Sequence, residues 1–318
     1  MPSKAQPIQL GLCCLNITFR NTTGATPSRK KMLKTVLREG VEPLKELILK
    51  NLQDVKELIE WNETHGIRVY RLSSSMFPHK TNPQVDDFGY EFAIPLMEEI
   101  GALARQYGHR LTFHPGQYNV LASPSQKALD NTMRDLEYHA QVLEYMGCNQ
   151  DSVMVIHGGG LYNNKEKTKA RWCEVYNELP EMIKKRLVLE NCEHSFNIID
   201  CLEISKKTGV PVVFDTHHFD CYTMLHPDEE FEPASVYIPQ ILESWTKRGI
   251  KPKFHVSEQG SGKTGHHSDY IEIIPEYLLE IPEKYGIHID IMIEAKMKEL
   301  AIQKLYEKYP FLNCLIQE

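Results

Sequence analysis

Histidine, aspartate and glutamate stand at the ends of short apolar runs along this 318-residue chain. Residues 110–113 lead into His114, 153–156 into His157, 186–189 into Glu190, and 212–214 into Asp215, with His218 close behind. The run 253–254 carries Lys253 and leads to His255, the run 289–293 leads to Glu294, and His266 and His267 fall between these two runs. Packing offers no reason for such residues, because a buried charge is costly unless it is paired or binds a metal. Imidazole with carboxylate suits zinc or manganese, and a carboxylate can bridge two ions. One histidine at the end of a strand is more often a satisfied core or surface residue. Recurrence at the same end of six successive runs points instead to a multinuclear metal site.

The elements that must position these groups repeat along the chain. Amphipathic helical patterns end at Gly66, Gly108, Gly147, Gly209, Gly249 and Gly286, and a short aliphatic or β-branched run follows. Leu44, Leu47, Ile48, Leu52, Val55, Leu58 and Ile59 form one apolar helical stripe, and Leu136, Ala140, Leu143 and Met146 another; both read as core. Eight strands are expected, at 8–12, 68–72, 110–113, 153–156, 186–189, 212–214, 253–254 and 289–293, apolar on both faces as in a parallel sheet. Eight strands alternating with helices suggest a single (β/α)8 TIM barrel, although a doubly wound open sheet fits the same alternation. No composition break divides the chain, so residues 1–318 are read as one barrel domain. In a barrel the C-terminal strand ends share one mouth, and the polar residues converge there.

Composition sets limits. The formal charge of −7 argues against a nucleic-acid partner until one notes that divalent ions would offset a carboxylate-rich site. Arg20, Arg29, Lys30, Lys31, Lys34 and Arg38 precede the acid Glu39, which suits a solvated loop or a loop touching phosphates. Eight scattered cysteines without a CxxC pair suggest free thiols in a reducing intracellular compartment, cytoplasmic or nuclear. Met1-Pro2-Ser3-Lys4 lacks the apolar run of a secretory leader, and no membrane span is expected. Gly260-Ser261-Gly262-Lys263-Thr264 imitates a phosphate-binding P-loop, but Ser257 occupies the position of its first glycine and Gly265 follows where a helix should begin, so no nucleotide cofactor is expected. Gly158-Gly159-Gly160 allows close backbone approach, which suits a bound phosphate or a plain turn.

His114-Pro115-Gly116-Gln117-Tyr118 resembles the HPGQY signature of the UV-damage endonucleases, barrel nucleases related in architecture to endonuclease IV. Gly11 with Asn16, the run ending at Gly158-Gly159-Gly160, Leu189-Glu190-Asn191, Asp215-Thr216-His217-His218, Pro252-Lys253-Phe254-His255 and Ile293-Glu294-Ala295-Lys296 resemble its other blocks, in order, across roughly residues 8–300. The resemblance implies three divalent ions, Mn²⁺ before Zn²⁺, Mg²⁺ or Co²⁺. His114, His157 and Glu190 would hold one; Glu190, Asp215, His255 and Glu294 a second; His218 and His267 a third near Lys253, whose counterpart in the family can be carboxylated. It casts Glu190, Asp215, His255, Glu294 and Lys253 as the catalytic set. Gln117 and Tyr118 would probe the duplex, with Asn16 and Leu12 near the lesion. Leu12 stands where the family usually has an aromatic residue, which bears on lesion preference.

The reading that follows is a monomeric repair enzyme for damaged double-stranded DNA. It would nick immediately 5′ of cyclobutane dimers and 6-4 photoproducts, with hydrolysis by metal-activated water. The alternatives are an abasic-site endonuclease on the same fold, a metal-dependent sugar isomerase, and a DNA-binding module without activity.

Overall fold

Runs of valine, isoleucine and leucine pair most favourably where both their faces are covered. The computed structural model describes residues 6–316 and shows this arrangement. Its parallel strands are β1 (Ile8–Cys13), β2 (Val69–Arg71), β3 (Arg110–Thr112), β4 (Met154–His157), β5 (Leu187–Glu190), β6 (Val212–Asp215), β7 (Lys253–Val256) and β8 (Ile289–Ile293). Hydrogen-bonded neighbours run β3-β2-β1-β8-β7-β6-β5-β4. The ring closes between the two ends of that order. There Phe113 N donates to Val153 O at 2.9 Å, and Val155 N donates to Phe113 O at 3.0 Å. The fold is therefore a (β/α)8 TIM barrel and not the open sheet that alternation alone would permit.

The strand limits differ from the sequence expectation where the site begins. His157, Glu190 and Asp215 are themselves the last residues of β4, β5 and β6, and His255 lies within β7. Register explains the difference: His157 pairs with Glu190, and Asp215 with His255, so the ladder extends through these residues. Their backbones are held by the sheet, not by loops.

All six helix-ending glycines take positive φ, among them 75° at Gly209 and 70° at Gly249, a region that costs any other residue steric strain. The long helix Glu42–Thr64 buries Leu44, Ile48, Leu52, Val55, Leu58 and Ile59 against the barrel. Its polar Asn51 and Asp54 are buried too, and they bind the basic loop. Asn51 Oδ1 accepts from Arg29 N at 3.0 Å, and the Arg29 guanidinium pairs with Asp54. Lys31 pairs with Glu39 at 2.9 Å and Arg38 with the same carboxylate at 2.7 Å. Three of the six cations in this segment are thus paired with acids of the same chain, Arg38 on the exposed surface.

The strand period of two sorts residues into two layers. Gly11 faces the barrel interior, where an added Cβ would lie 2.8 Å from Met292 Cε and 3.0 Å from Val69 Cγ1. At the base of the barrel the Arg110 guanidinium meets the buried Asp290 carboxylate at 2.7 Å, and Lys251 pairs with the same group. Gly101 sits in the helix Ile94–Tyr107 with no room at all: a Cβ there would fall 1.5 Å from the Met146 carbonyl oxygen. Gly101→Ala must push two helices apart and is expected to cost about 3 kcal/mol. Urea denaturation measures this, and an unchanged midpoint would show that the helix contact yields freely.

Candidate metal centre and nucleic-acid interface

Glu190 ends β5 at the centre of the barrel mouth and is fully buried. Its Oε2 lies 2.8 Å from His114 Nε2 and 3.4 Å from His157 Nε2. Its Oε1 lies 2.7 Å from His255 Nδ1 and 3.8 Å from His218 Nδ1. One carboxylate therefore touches four imidazoles from four different strand ends. Beside it, His255 Nδ1 is 3.2 Å from Glu294 Oε1, His218 Nδ1 is 3.8 Å from Asp215 Oδ2, and His267 Nδ1 is 3.9 Å from Glu294 Oε2. Three overlapping groups could each hold a metal ion: His114, Glu190 and His255; Glu190, Asp215 and His218; and Asp215, His255 and Glu294.

Two further features fit a cation. Asp215 Oδ2 and His255 Nε2 are buried without a hydrogen-bond partner, a costly state that an ion would relieve. The protonation balance agrees. Burial raises the Glu190 carboxyl, but His255, His157 and His114 outweigh it and hold the group well below the usual range. Burial and the neighbouring Glu190 and Glu294 push Asp215 up to about 7, against the pull of His218. Burial disfavours charge on His218, yet Asp215, Glu190, Glu193 and Glu294 hold it at about 9. His157 and His255, desolvated, drop to about 4 and offer neutral ring nitrogens. The cluster sets a firmly ionised carboxylate, Glu190, beside neutral ring nitrogens of His157 and His255, an environment that draws divalent ions.

The support around these groups comes from residues with no chemistry of their own. Asn191 brackets β6: its Oδ1 accepts from Asp215 N at 2.9 Å, its Nδ2 donates to Asp215 O at 3.0 Å, and its carbonyl lies 3.0 Å from His218 Nδ1. Asp215 Oδ1 caps the helix Thr216–Leu225 by accepting from His218 N at 2.8 Å, which leaves only Oδ2 free. His217 turns away and packs against Cys221, while His218 joins the mouth. His267 lines the mouth; His266 is exposed outside it.

Lys253 sits a layer lower, fully buried, with Nζ 3.2 Å from Thr112 Oγ1. Burial, with Arg71 and Arg110 nearby, brings its amine down to about 7. Two groups that sequence reasoning passed over belong to the mouth. Arg71 forms a buried ion pair with Glu294, and Glu193 Oε2 lies 3.7 Å from His218 Nε2. Glu193 follows the β5 terminus closely enough to have been suspected; Arg71 at the end of β2 looks like an ordinary edge cation until the barrel closes.

Above these acids and imidazoles opens a cavity of about 910 Å³, with Gln117, Tyr118 and Gly160 on its rim. Both Gln117 and Tyr118 are exposed, Tyr118 at 60%. Their loop is fixed from beneath. Tyr118 Oη donates to Asp135 Oδ1 at 3.3 Å, and Asn119 Nδ2 donates to Asp135 Oδ2 at 2.8 Å. A Cβ at Gly116 would meet the Tyr118 ring at 2.5 Å, so any larger residue there would shift that exposed ring. Gly158 likewise faces Phe196 at 2.5 Å, so packing alone accounts for it.

Two expected contacts are corrected. Leu12 faces outward into the core between strands and helices and is fully buried, because the alternation of β1 turns Gly11 and Cys13 inward. Asn16 is buried and caps the helix Ile17–Thr23, its Oδ1 accepting from Phe19 N at 2.7 Å. Neither offers a surface to DNA. The Gly260–Thr264 segment is a hairpin tip closed by Gln259, whose Oε1 accepts from Gly265 N at 2.9 Å.

A closed β/α barrel with imidazoles and carboxylates converging at its mouth, beneath an exposed aromatic and amide, defines a barrel enzyme with a candidate metal centre. Residues 8–315 match the family described as UV-endonuclease UvdE, and the chain belongs to that family. It is 40% identical over 307 residues to a protein of Acanthamoeba polyphaga mimivirus, covering 95% of this chain and 91% of that one. It is 37% identical over 320 residues to the UV-damage endonuclease of Schizosaccharomyces pombe, spanning 96% of this chain and 51% of that protein. The crystal structure of SacUVDE superimposes with a TM-score of 0.81 at 28% identity, over 96% of this chain and 100% of that chain. Among the described residues, no helix is long and apolar enough to cross a membrane.

If Glu190 is the shared ligand, Glu190→Ala should lose most bound divalent metal, whereas Glu193→Ala should keep most of it. Elemental analysis of the purified proteins after loading with Mn²⁺ decides between them; equal metal contents would remove Glu190 from the centre.

Proposed function

We propose that this chain is a metal-dependent DNA-repair endonuclease that nicks a duplex immediately 5′ of a UV photoproduct, a cyclobutane dimer or a 6-4 product. The observation that carries the reading is the buried Glu190 carboxylate in contact with four imidazoles, directly beneath a rim bearing exposed Gln117 and Tyr118. Membership of the UV-endonuclease family supports the same reading.

His114, His157, Glu190, Asp215, His218, His255, His267 and Glu294 are the residues that would hold up to three divalent ions, Mn²⁺ foremost. Such ions, when bound, supply positive charge to the scissile phosphodiester and make a water a stronger nucleophile at neutral pH. The chain's own part is to hold these ligands rigidly. Four of them lie within strands, and Asn191 fixes both Asp215 and His218. Arg71 holds Glu294 in place through their buried pair. Tyr118 and Gln117 can fill the gap left when the lesion leaves the stack, and a damaged pair, already poorly stacked, resists this less. Lys253, buried below the ligands, is carboxylated or remains an amine, which intact mass distinguishes. The enzyme acts as a monomer and needs no nucleotide.

Purified protein with Mn²⁺ should cut a labelled duplex carrying one thymine dimer once, just 5′ of the dimer, and chelator should abolish the cut. Cleavage of only an abasic duplex would instead assign the barrel to abasic-site repair. Tyr118→Ala should weaken binding to the dimer duplex by about tenfold, the scale of one lost stacking contact, while metal content stays unchanged. Parallel loss of metal would end the probing role of Tyr118.

A further inference from the structure

The loop that follows β2 carries Ser74, which lines the mouth cavity and also a side groove of about 250 Å³ beneath Tyr118. Ser74 is partly exposed. Its hydroxyl has one hydrogen to give and two neighbours to receive it: His139 Nε2 at 2.9 Å and the His114 carbonyl oxygen at 3.4 Å.

His139 can only accept at that nitrogen. Its Nδ1 lies 2.6 Å from the Asp135 carbonyl oxygen, which has no hydrogen to give, so Nδ1 carries the ring hydrogen. Burial favours the neutral ring, since His139 is fully enclosed and desolvation lowers its affinity for a second proton; the Asp135 carboxylate 3.5 Å away opposes this without reversing it. Nε2 therefore presents a lone pair. A backbone carbonyl likewise only accepts. Whichever neighbour takes the Ser74 hydrogen, it points inward.

The consequence concerns the opening. Serine normally donates or accepts as its partner requires. Here it offers a ligand in the cavity only lone pairs, unless an existing bond of 2.9 Å is given up. A phosphodiester has no hydrogen to donate at neutral pH, so it gains nothing from such a group. The imide N–H of a thymine does. The same Asp135 that orients His139 also receives the Tyr118 hydroxyl and the Asn119 amide. One acidic residue thus sets both the probing ring and the hydrogen-bonding character of Ser74.

We propose that Ser74, held as a fixed acceptor by His139 and Asp135, receives the N–H of an extruded pyrimidine and so selects base over backbone at this wall of the cavity. The inference rests on the proposed damage-directed activity, but its test reads binding as well as cleavage.

Duplexes carrying a thymine dimer, with and without N3-methyl groups on its imide nitrogens, are titrated with wild type and Ser74→Ala in the absence of metal, and nicking is followed separately with Mn²⁺. Methylation also changes base pairing, but that cost belongs to the DNA and cancels when the two proteins are compared. The preference for the unmethylated dimer should be about fivefold to tenfold greater in wild type than in Ser74→Ala, the worth of one buried hydrogen bond. Equal preferences in the two proteins overturn the proposal, as does absence of binding by wild type. Because wild type and variant are read as a ratio, a general loss of affinity in Ser74→Ala cannot imitate the effect. Ser74-dependent preference without any nicking would leave the assignment of Ser74 standing and defeat the nuclease reading instead.

Discussion

A fully buried carboxylate at the end of β5 is the constraint around which this barrel is arranged. Taking the ionised Glu190 out of water is expensive, and among the described residues no lysine or arginine pairs with it to offset the cost. Its compensation comes from His114, His157, His255 and His218, brought from β3, β4, β7 and the start of the helix after β6. His157 and His255, which burial keeps neutral, are poor permanent counter-ions and good metal ligands. The arrangement makes physical sense as a cradle for positive charge that arrives from outside the chain.

That constraint reaches outward through hydrogen bonds. Asn191, next to Glu190, clamps the end of β6 and so sets Asp215 and His218. Arg71 balances Glu294, whose carboxylate would otherwise face the neighbouring Glu190 without a cation of its own. On the other wall, Asp135 collects Tyr118, Asn119 and His139 and turns a flexible-looking HPGQY loop into a fixed rim. On the proposed function, rigid placement at both levels would help the site distinguish a distorted duplex from a regular one, because loose groups would adapt to either.

The overall charge is negative, and Arg29, Lys31 and Arg38 are already paired with acids of the chain, so on the proposed function the mouth would carry much of the attraction for a nucleic acid. On the proposed function, damage recognition would rest less on long-range attraction than on shape, through the exposed Tyr118 ring, the Gln117 amide and the cavity beside them.

The sequence by itself determined the barrel's rhythm and the set of acids and histidines that meet at its mouth. Glycine after each helix, apolar runs of strand length, and acids or histidines at one end of those runs are local signals, and each depends only on neighbouring residues. His218 and His267, each chosen over an adjacent histidine, lie in the mouth, while His217 and His266 do not. Tertiary structure alone decided closure over an open sheet, since that depends on whether Phe113 reaches β4, a contact between distant segments. It buried Leu12 and Asn16 below the surface, because strand parity and helix capping set which way a side chain turns, and a motif records only its position. Arg71, Glu193, Asn191 and the Ser74–His139–Asp135 chain acquired their roles only through contacts made in three dimensions. Their residue types are unremarkable along the chain, and only folding brings them against the groups they hold.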